Sequence, residues 1–285
     1  MSMKQSRAAL LAATFAAFAL LASGCAAAGG GSAGSGGNAG SKLGLVTDGD
    51  LTVCVNLDSP PNVYAKPDGT PIGVEVDIAK SMAKEMKLTV QWKELSFAGL
   101  IPALQARQCD TIISSLYIKP EREKIASFVP YLYSGTGIGV AKSNPKRITG
   151  VDESLCGKKV IAITGATGAA LVEAQAQKCT SEGKAAISST LTDKAADGLQ
   201  QVIAGQQDAY VDAAESVNYL AQQSKGQFTV IGDPIDKIKI GAASLKTNKP
   251  LHDALQSAFE TIQKDGTYAK ILKKWSFESL DIAKS

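Results

Sequence analysis

Short apolar runs of strand length occupy residues 51–55, 89–92, 110–114, 159–163 and 209–211. Between them the apolar positions change period. Ile78, Ala79, Met82, Ala83 and Met86 recur at the spacing of one helix face, and Leu100, Ile101 and Leu104 mark a second. Helices are also predicted over 169–177, over 199–204 and from Glu215 onward. Such alternation argues for parallel sheets covered by helices. It runs twice, and Ser143-Asn144-Pro145-Lys146 divides the two runs, which predicts two α/β lobes. Two final helices, 250–264 and 268–275, bring no strands of their own and must pack on one lobe. In open α/β sheets, ligands bind beyond the carboxyl ends of the strands. The residues just after each strand are therefore the candidates for chemistry.

The first 44 residues do not fit this pattern. Lys4 and Arg7 precede an uninterrupted small-apolar run, 8–21, which reads as a secretory signal too short to span a bilayer comfortably. It ends in Leu21-Ala22-Ser23-Gly24-Cys25, which resembles the bacterial lipobox, so Cys25 is expected to be acylated and to become the first mature residue. Residues 26–44 are then a tether. Its Gly, Ala and Ser composition cannot bury enough surface to fold, and a flexible coil of this kind spans roughly 20–25 Å. The protein is expected outside the cytoplasm, held at a membrane by lipid.

About 240 residues remain, enough for two modest domains. The chain's formal charge of +3 includes Lys4 and Arg7, so the processed protein is near neutral, and no basic stripe suited to nucleic acid is present. His252 is the only histidine. That excludes a histidine-ligated metal site, and any Ser-His or Cys-His pair not built on this one helical residue.

Several motifs coincide in order. Gly73-Val74-Glu75-Val76-Asp77-Ile78-Ala79 is followed by Leu100-Ile101-Pro102-Ala103-Leu104, then Cys109-Asp110-Thr111-Ile112-Ile113-Ser114-Ser115, Pro120-Glu121-Arg122, Asp265-Gly266-Thr267-Tyr268 and Lys273-Lys274-Trp275. Together they resemble the family 3 periplasmic binding proteins for polar amino acids, over roughly residues 50–277. The resemblance implies a type II periplasmic-binding-protein-like α/β fold, with each lobe a mostly parallel sheet flanked by helices. Residues 45–138 with 240–285 would form lobe one and 139–239 lobe two, joined by crossovers near 135–141 and 233–242. It further implies a monomer that captures a polar amino acid and delivers it to the membrane permease of an ABC importer, with no cofactor.

An amino acid is a zwitterion, so a closing cleft must supply one site for an anion and one for a cation, because a buried unpaired charge is costly. The resemblance assigns the ligand's carboxylate to Arg122, whose guanidinium fork suits it. Read alone, Arg122 is a surface residue in a Glu-Arg-Glu-Lys run. Ser115 matches a position whose backbone or side chain joins the carboxylate, and Thr167 opens a helix whose free N–H groups suit an anion. For the ammonium the match is Asp212, which reads equally well as a helix N-cap. Phe97 corresponds to a side-chain pocket wall. The sequence also departs from the family: Ser59 stands where a stacking aromatic is usual, Asn56 where binders of cationic side chains carry an acid, and Tyr117 where Thr or Ser is common. Tyr117 is a substitute wall, and a lysine- or arginine-type ligand is disfavoured.

Beyond Cys25 four cysteines remain in an oxidising compartment. Cys156 and Cys179 fall at the same end of one β-α unit and are expected to be bridged. Cys54 lies within the first strand, level with Ile112, three residues beyond Cys109. At ~3.3 Å per residue that offset is about 10 Å, so Cys54 and Cys109 are expected to be buried thiols. Two other functions share the fold. One is a receptor that hands its closed lobes to a membrane sensor. The other is a dehydratase-like or murein-cleaving enzyme, for which Glu75 and Glu94 are acids without a visible partner.

Overall fold

The computed structural model describes residues 42–284; Cys25, the signal and nearly all of the tether lie outside them. The chain opens with β1 (Asp50–Val55), a small antiparallel sheet of β2 (Asp58–Ser59), β3 (Val63–Ala65) and β4 (Pro71–Ile72), and helix α1 (Val74–Glu85). The face of α1 built from Val74, Ile78, Ala79, Met82 and Ala83 is buried, as its spacing requires. Then follow β5 (Thr89–Glu94), α2 (Leu100–Gln105), β6 (Thr111–Ile112) and the short α3 (Pro120–Glu123). β5 and β6 pair parallel to β1 on its two sides.

The long β7 (Ala126–Ala141) carries the chain out of this lobe. The second lobe is built from β8 (Lys159–Ile163), α4 (Thr167–Ser181), β9 (Ser188–Thr192), α5 (Ala195–Ile203), β10 (Ala209–Ala213) and α6 (Ala214–Gln223). An equally long β11 (Phe228–Leu245) returns, and α7 (Lys249–Lys264) and α8 (Thr267–Trp275) close the chain. The strand order is β5-β1-β6-β11-β7-β10-β8-β9. β7 and β11 are antiparallel to each other along their length, and the flanking strands of each lobe are parallel among themselves. The ladder between β7 and β11 slips in register between Ile231 and Ile235 and again before Ile238. Both crossover segments anticipated from the family resemblance fall inside these two strands.

Each lobe has its own core. Leu51, Val53, Ile78 and Met82 pack with Leu255, Phe259 and Leu272 of α7 and α8, so the terminal helices belong to the first lobe. Val160, Ala162, Val172 and Val211 form the centre of the second. The apolar pattern does not mark β9 or the β2–β3–β4 sheet, and it overstates β6. β9 reads Ser-Ser-Thr-Leu-Thr, an exposed edge strand with no apolar alternation, and Leu191 is more than half exposed. The β2–β3–β4 sheet is too short to carry a period, and the run 110–114 contributes only a two-residue strand.

The cysteine expectation holds for one pair and fails for the other. Cys156 and Cys179 are bridged, with Cα atoms 5.6 Å apart. Cys54 and Cys109 are bridged as well, also at 5.6 Å. The anticipated register is present, since Cys54 lies opposite Ile112. The error was to extend the strand back to Cys109. β6 begins only at Thr111, and just before it Asp110 N–H donates to the Thr52 carbonyl at 2.8 Å while the Asp110 carboxylate accepts from Thr52 N–H at 2.7 Å. The chain curls here and returns Cys109 to β1.

Gly73, at the head of α1, has φ +134, where side chains are rare, and a Cβ there would land on the carbonyl of Asn62. Glu75 N–H donates to that same carbonyl at 2.9 Å, which docks the helix onto the turn before β3. Gly73→Ala should therefore destabilise the protein by about 1–3 kcal/mol, read as a lower melting temperature at about 2–4 °C per kcal/mol for a domain of this size. An unchanged melting temperature would show that this turn yields freely.

Candidate ligand-binding site

A small cavity of about 20 Å³ lies where the lobes meet. The first lobe contributes Ser59, Phe97, Ser115, Tyr117 and Arg122, and the second contributes Ile163, Ala166, Thr167, Gly168, Asp212 and Ala213. Seven of the eight ligand candidates read from the sequence are thus brought to one place, from segments up to about 150 residues apart. Arg122 and Asp212 are the only charged residues lining it.

Arg122 sits on α3, whose helical start is set by Pro120. It is half-buried. One N–H donates to the Tyr117 carbonyl at 2.9 Å, and the guanidinium lies 5.7 Å from the centre of the Phe97 ring. Among the described residues, no carboxylate stands within ion-pair reach of it. Burial lowers its affinity for its proton, though not enough to discharge a guanidinium.

Asp212 is the penultimate residue of β10 and is buried. Tyr210 donates its hydroxyl to one carboxylate oxygen at 2.6 Å. Burial pushes the carboxyl up to about 6, against the opposing pull of the Tyr210 hydrogen bond. The N-cap alternative is not realised: the cap of α6 is Ala213, with no side-chain cap bond.

The remaining candidates divide by what they can offer. Thr167 begins α4, whose N-cap, Ala166, supplies no side-chain acceptor, so first-turn N–H groups stand at the cavity wall without a side-chain cap. Gly168 permits this placement, since a Cβ there would meet the Val211 carbonyl at 2.9 Å. Phe97 and Ser59 line the wall half-buried, and Phe97 packs against apolar clusters of both lobes. Tyr117 presents its ring while its hydroxyl turns away, donating to the Gly135 carbonyl at 2.6 Å. Ser115 N–H is engaged by both oxygens of Glu75, at 2.7 and 2.9 Å, and its hydroxyl accepts from the Asn62 amide at 2.9 Å. Asn56 does not line the cavity: its amide donates to the Leu95 carbonyl at 3.1 Å.

Sequence reasoning missed the layer beneath the cavity. Glu75, read as an acid without a partner, is fully buried and accepts from Ser115 and from the Tyr131 hydroxyl at 2.7 Å. Burial pushes its carboxyl up to about 7. Two further side chains join the lobes. The Asp58 carboxylate accepts the Ala195 N–H that opens α5, at 2.6 Å, and Asn62 donates to Glu215 at 2.9 Å. Asn62 follows Pro60-Pro61 and Glu215 stands three residues past Asp212, but neither position carries a pattern that points to the other.

Comparison with known proteins fits this geometry. Residues 51–279 match the family described as bacterial extracellular solute-binding proteins, family 3. The probable amino-acid-binding protein YxeM of Bacillus subtilis is 30% identical over 238 residues, covering 82% of this chain and 87% of that one. An ancestral arginine-binding protein, solved with arginine and with glutamine, is 31% identical in both structures. The TM-scores are 0.73 and 0.72, with 80% and 81% of this chain and 98% and 100% of the other covered. An ancestral amino acid-binding protein that is a precursor of cyclohexadienyl dehydratase is 29% identical, with TM-score 0.70, covering 81% and 96%. The family match extends from the first strand to the turn beyond the last helix, and the chain belongs to the family 3 bacterial extracellular solute-binding proteins.

Proposed function

We propose that this protein captures a polar amino acid with an uncharged side chain in the interlobe cavity and delivers it to the membrane permease of an ABC importer. One observation carries the reading. A cation and an acid, each without a partner of opposite charge, face one cavity from opposite lobes. A zwitterion completes both. The lining holds one charge of each sign, so an additional cationic side chain would find no second acid at the cavity wall, as Asn56 already suggested. The glutamine-bound ancestral structure supports such a ligand on this scaffold. The cavity measures about 20 Å³, where a single water needs about 10–15 Å³. Entry of an amino acid therefore requires the lobes to part, and the register slips between β7 and β11 are where a hinge would bend.

Neither of the two acids considered for catalysis, Glu75 and Glu94, lines the cavity. Glu75 has a raised proton affinity of the kind a general acid needs, but it does not line the cavity and its oxygens are engaged by Ser115 and Tyr131. Glu94 is exposed and also outside the lining.

A thermal-shift panel of the twenty common L-amino acids with L-ornithine and L-cystine tests the ligand class. Amino acids with uncharged polar side chains should shift the melting temperature more than arginine or lysine at equal concentration; a largest shift with arginine would overturn the specificity. Truncating one member of a desolvated charge pair costs ~2–5 kcal/mol, or roughly 30- to several-thousand-fold in affinity. Arg122→Ala should lose that much in titration calorimetry. Binding within threefold of the parent would reduce Arg122 to a surface charge.

The pH dependence has two opposite signs. Glu75 and Asp212 hold their protons more tightly folded than unfolded, so their contribution to the stability of the ligand-free protein is fullest below about pH 4 and is lost as pH rises through about 6 to 7. The ligand's ammonium needs Asp212 ionised, so affinity should fall about tenfold per pH unit below about 6. Melting curves and titrations from pH 5 to 8 read both. Affinity flat across this range would remove Asp212 from the ammonium site.

Lipid anchoring through Cys25 belongs to the same reading. Cys25→Ser should move the protein from the membrane fraction to the medium or periplasm, and a variant as membrane-bound as the parent would exclude the anchor.

A further inference from the structure

Asn62 lies in the turn between β2 and β3 of the first lobe and is fully buried. One amide N–H points to Ser115 Oγ at 2.9 Å and the other to Glu215 Oε1, also at 2.9 Å. Its own Oδ1 has no hydrogen-bond partner. This orientation is dictated by the acceptors, because turning the amide over would set Oδ1 against a carboxylate oxygen. Glu215 is in the first turn of α6 in the second lobe, and the same Oε1 also accepts from Ser134 Oγ of β7 at 2.8 Å. Ser134 lies 3.0 Å from the Tyr117 hydroxyl. Burial holds the Glu215 carboxyl above its ordinary range, while Asn62 and Ser134 act to lower it. One carboxylate thus joins the first lobe, the second lobe and a hinge strand, and its donors lead directly to two residues of the cavity wall.

We propose that Asn62 and Glu215 form an interlobe latch, a pair of positioning residues that hold the closed cleft and set Ser115 and Tyr117 for the bound amino acid. The proposal rests on the cavity's being the amino-acid site. The latch acts only when the lobes are together, because its two halves come from residues 153 apart on different lobes. Its contribution therefore falls on the rate at which a bound amino acid escapes. The turn that carries Asn62 is fixed independently by Gly73 and Glu75 N–H, so removing the amide leaves the fold in place.

The test uses Asn62→Ala, Glu215→Ala, their double variant and Glu215→Gln, with the amino acids that shift the parent's melting temperature in the twenty-two-member panel. A hydrogen bond to a charged group corresponds to about 10- to 100-fold in affinity. Each alanine variant should lose about that much, by faster dissociation in stopped-flow tryptophan fluorescence with little change in association. The double variant should lose no more than the worse single one. Glu215→Gln keeps an acceptor for Asn62 but not the charge, and should fall between the parent and Glu215→Ala. Ligand-free melting temperatures should remain within a few degrees of the parent, which a residue needed only for folding would not allow. Alanine variants that bind within twofold of the parent, or losses that simply multiply in the double variant, would sink the latch and leave the site standing. A parent that binds none of the panel would sink the site and the latch together.

Discussion

Two antiparallel strands, β7 and β11, serve both lobes at once, and the rest of the molecule is arranged around that constraint. Their ladder must be continuous enough to hold the lobes in one molecule, because each buried backbone N–H and C=O needs a partner. Yet the ladder slips beside Ile235 and Ile238, and Gly135 lies opposite, where a Cβ would meet the Asp236 carbonyl at 2.6 Å. A close approach and irregular pairing coincide there. A bend there disturbs few regular hydrogen bonds, and the core of Val53 and Leu255 is a separate cluster from that of Val160 and Val211.

The constraint also explains how the site is divided. If a cleft between two bodies must open to water and then close on a charged guest, the charges that meet the guest are best split between the bodies. Arg122 and Asp212 are so split. On the proposed reading each is hydrated while the lobes are parted. Each loses water only at closure, when the ligand's carboxylate and ammonium replace it. The helix start at Thr167 adds N–H donors on the acid's side of the cleft.

The sequence made this arrangement legible in proportion to how local its signals are. Amphipathic helices such as α1 and α7 follow from spacing alone, and even the register of β1 on β6 was recoverable because both strands aim at the same end of the sheet. The Cys54–Cys109 bridge was not legible because β6 begins only at Thr111, so Cys109 is not held to the extended spacing of a strand. β9 was invisible for another reason: an edge strand with both faces partly wet needs no apolar alternation. Ser115 and Arg122 came from ordered motifs, and the other cavity candidates from the family resemblance those motifs support. Asn62 and Glu215 had neither. Their meeting depends on the closed geometry of two lobes, which periodicity does not encode.

Acids outnumber bases around the cavity. Glu215 shares the second lobe with Asp212, Asp58 and Glu75 come from the first, and their charges act on one another: Glu215 and Asp58 both raise Asp212, and Glu215 raises Glu75. Asn62, Ser134, Tyr131 and Tyr210 offset part of this cost with neutral donors, which accept hydrogen-bonding roles without bringing positive charge. Arg122 faces the cavity from the other lobe, with its guanidinium directed to Tyr117 and Phe97 and to no acid. On the proposed reading, the ammonium of a bound amino acid is the cation this cluster lacks. Its field reaches Glu215 and Asp58 as well as the carboxylate it touches, because screening by water is weak once the cleft has closed. The positive end of the ligand should then matter more to closure than a single contact with Asp212 would suggest. An analogue without its amino group would lose that contact and leave the repulsion among the acids uncompensated.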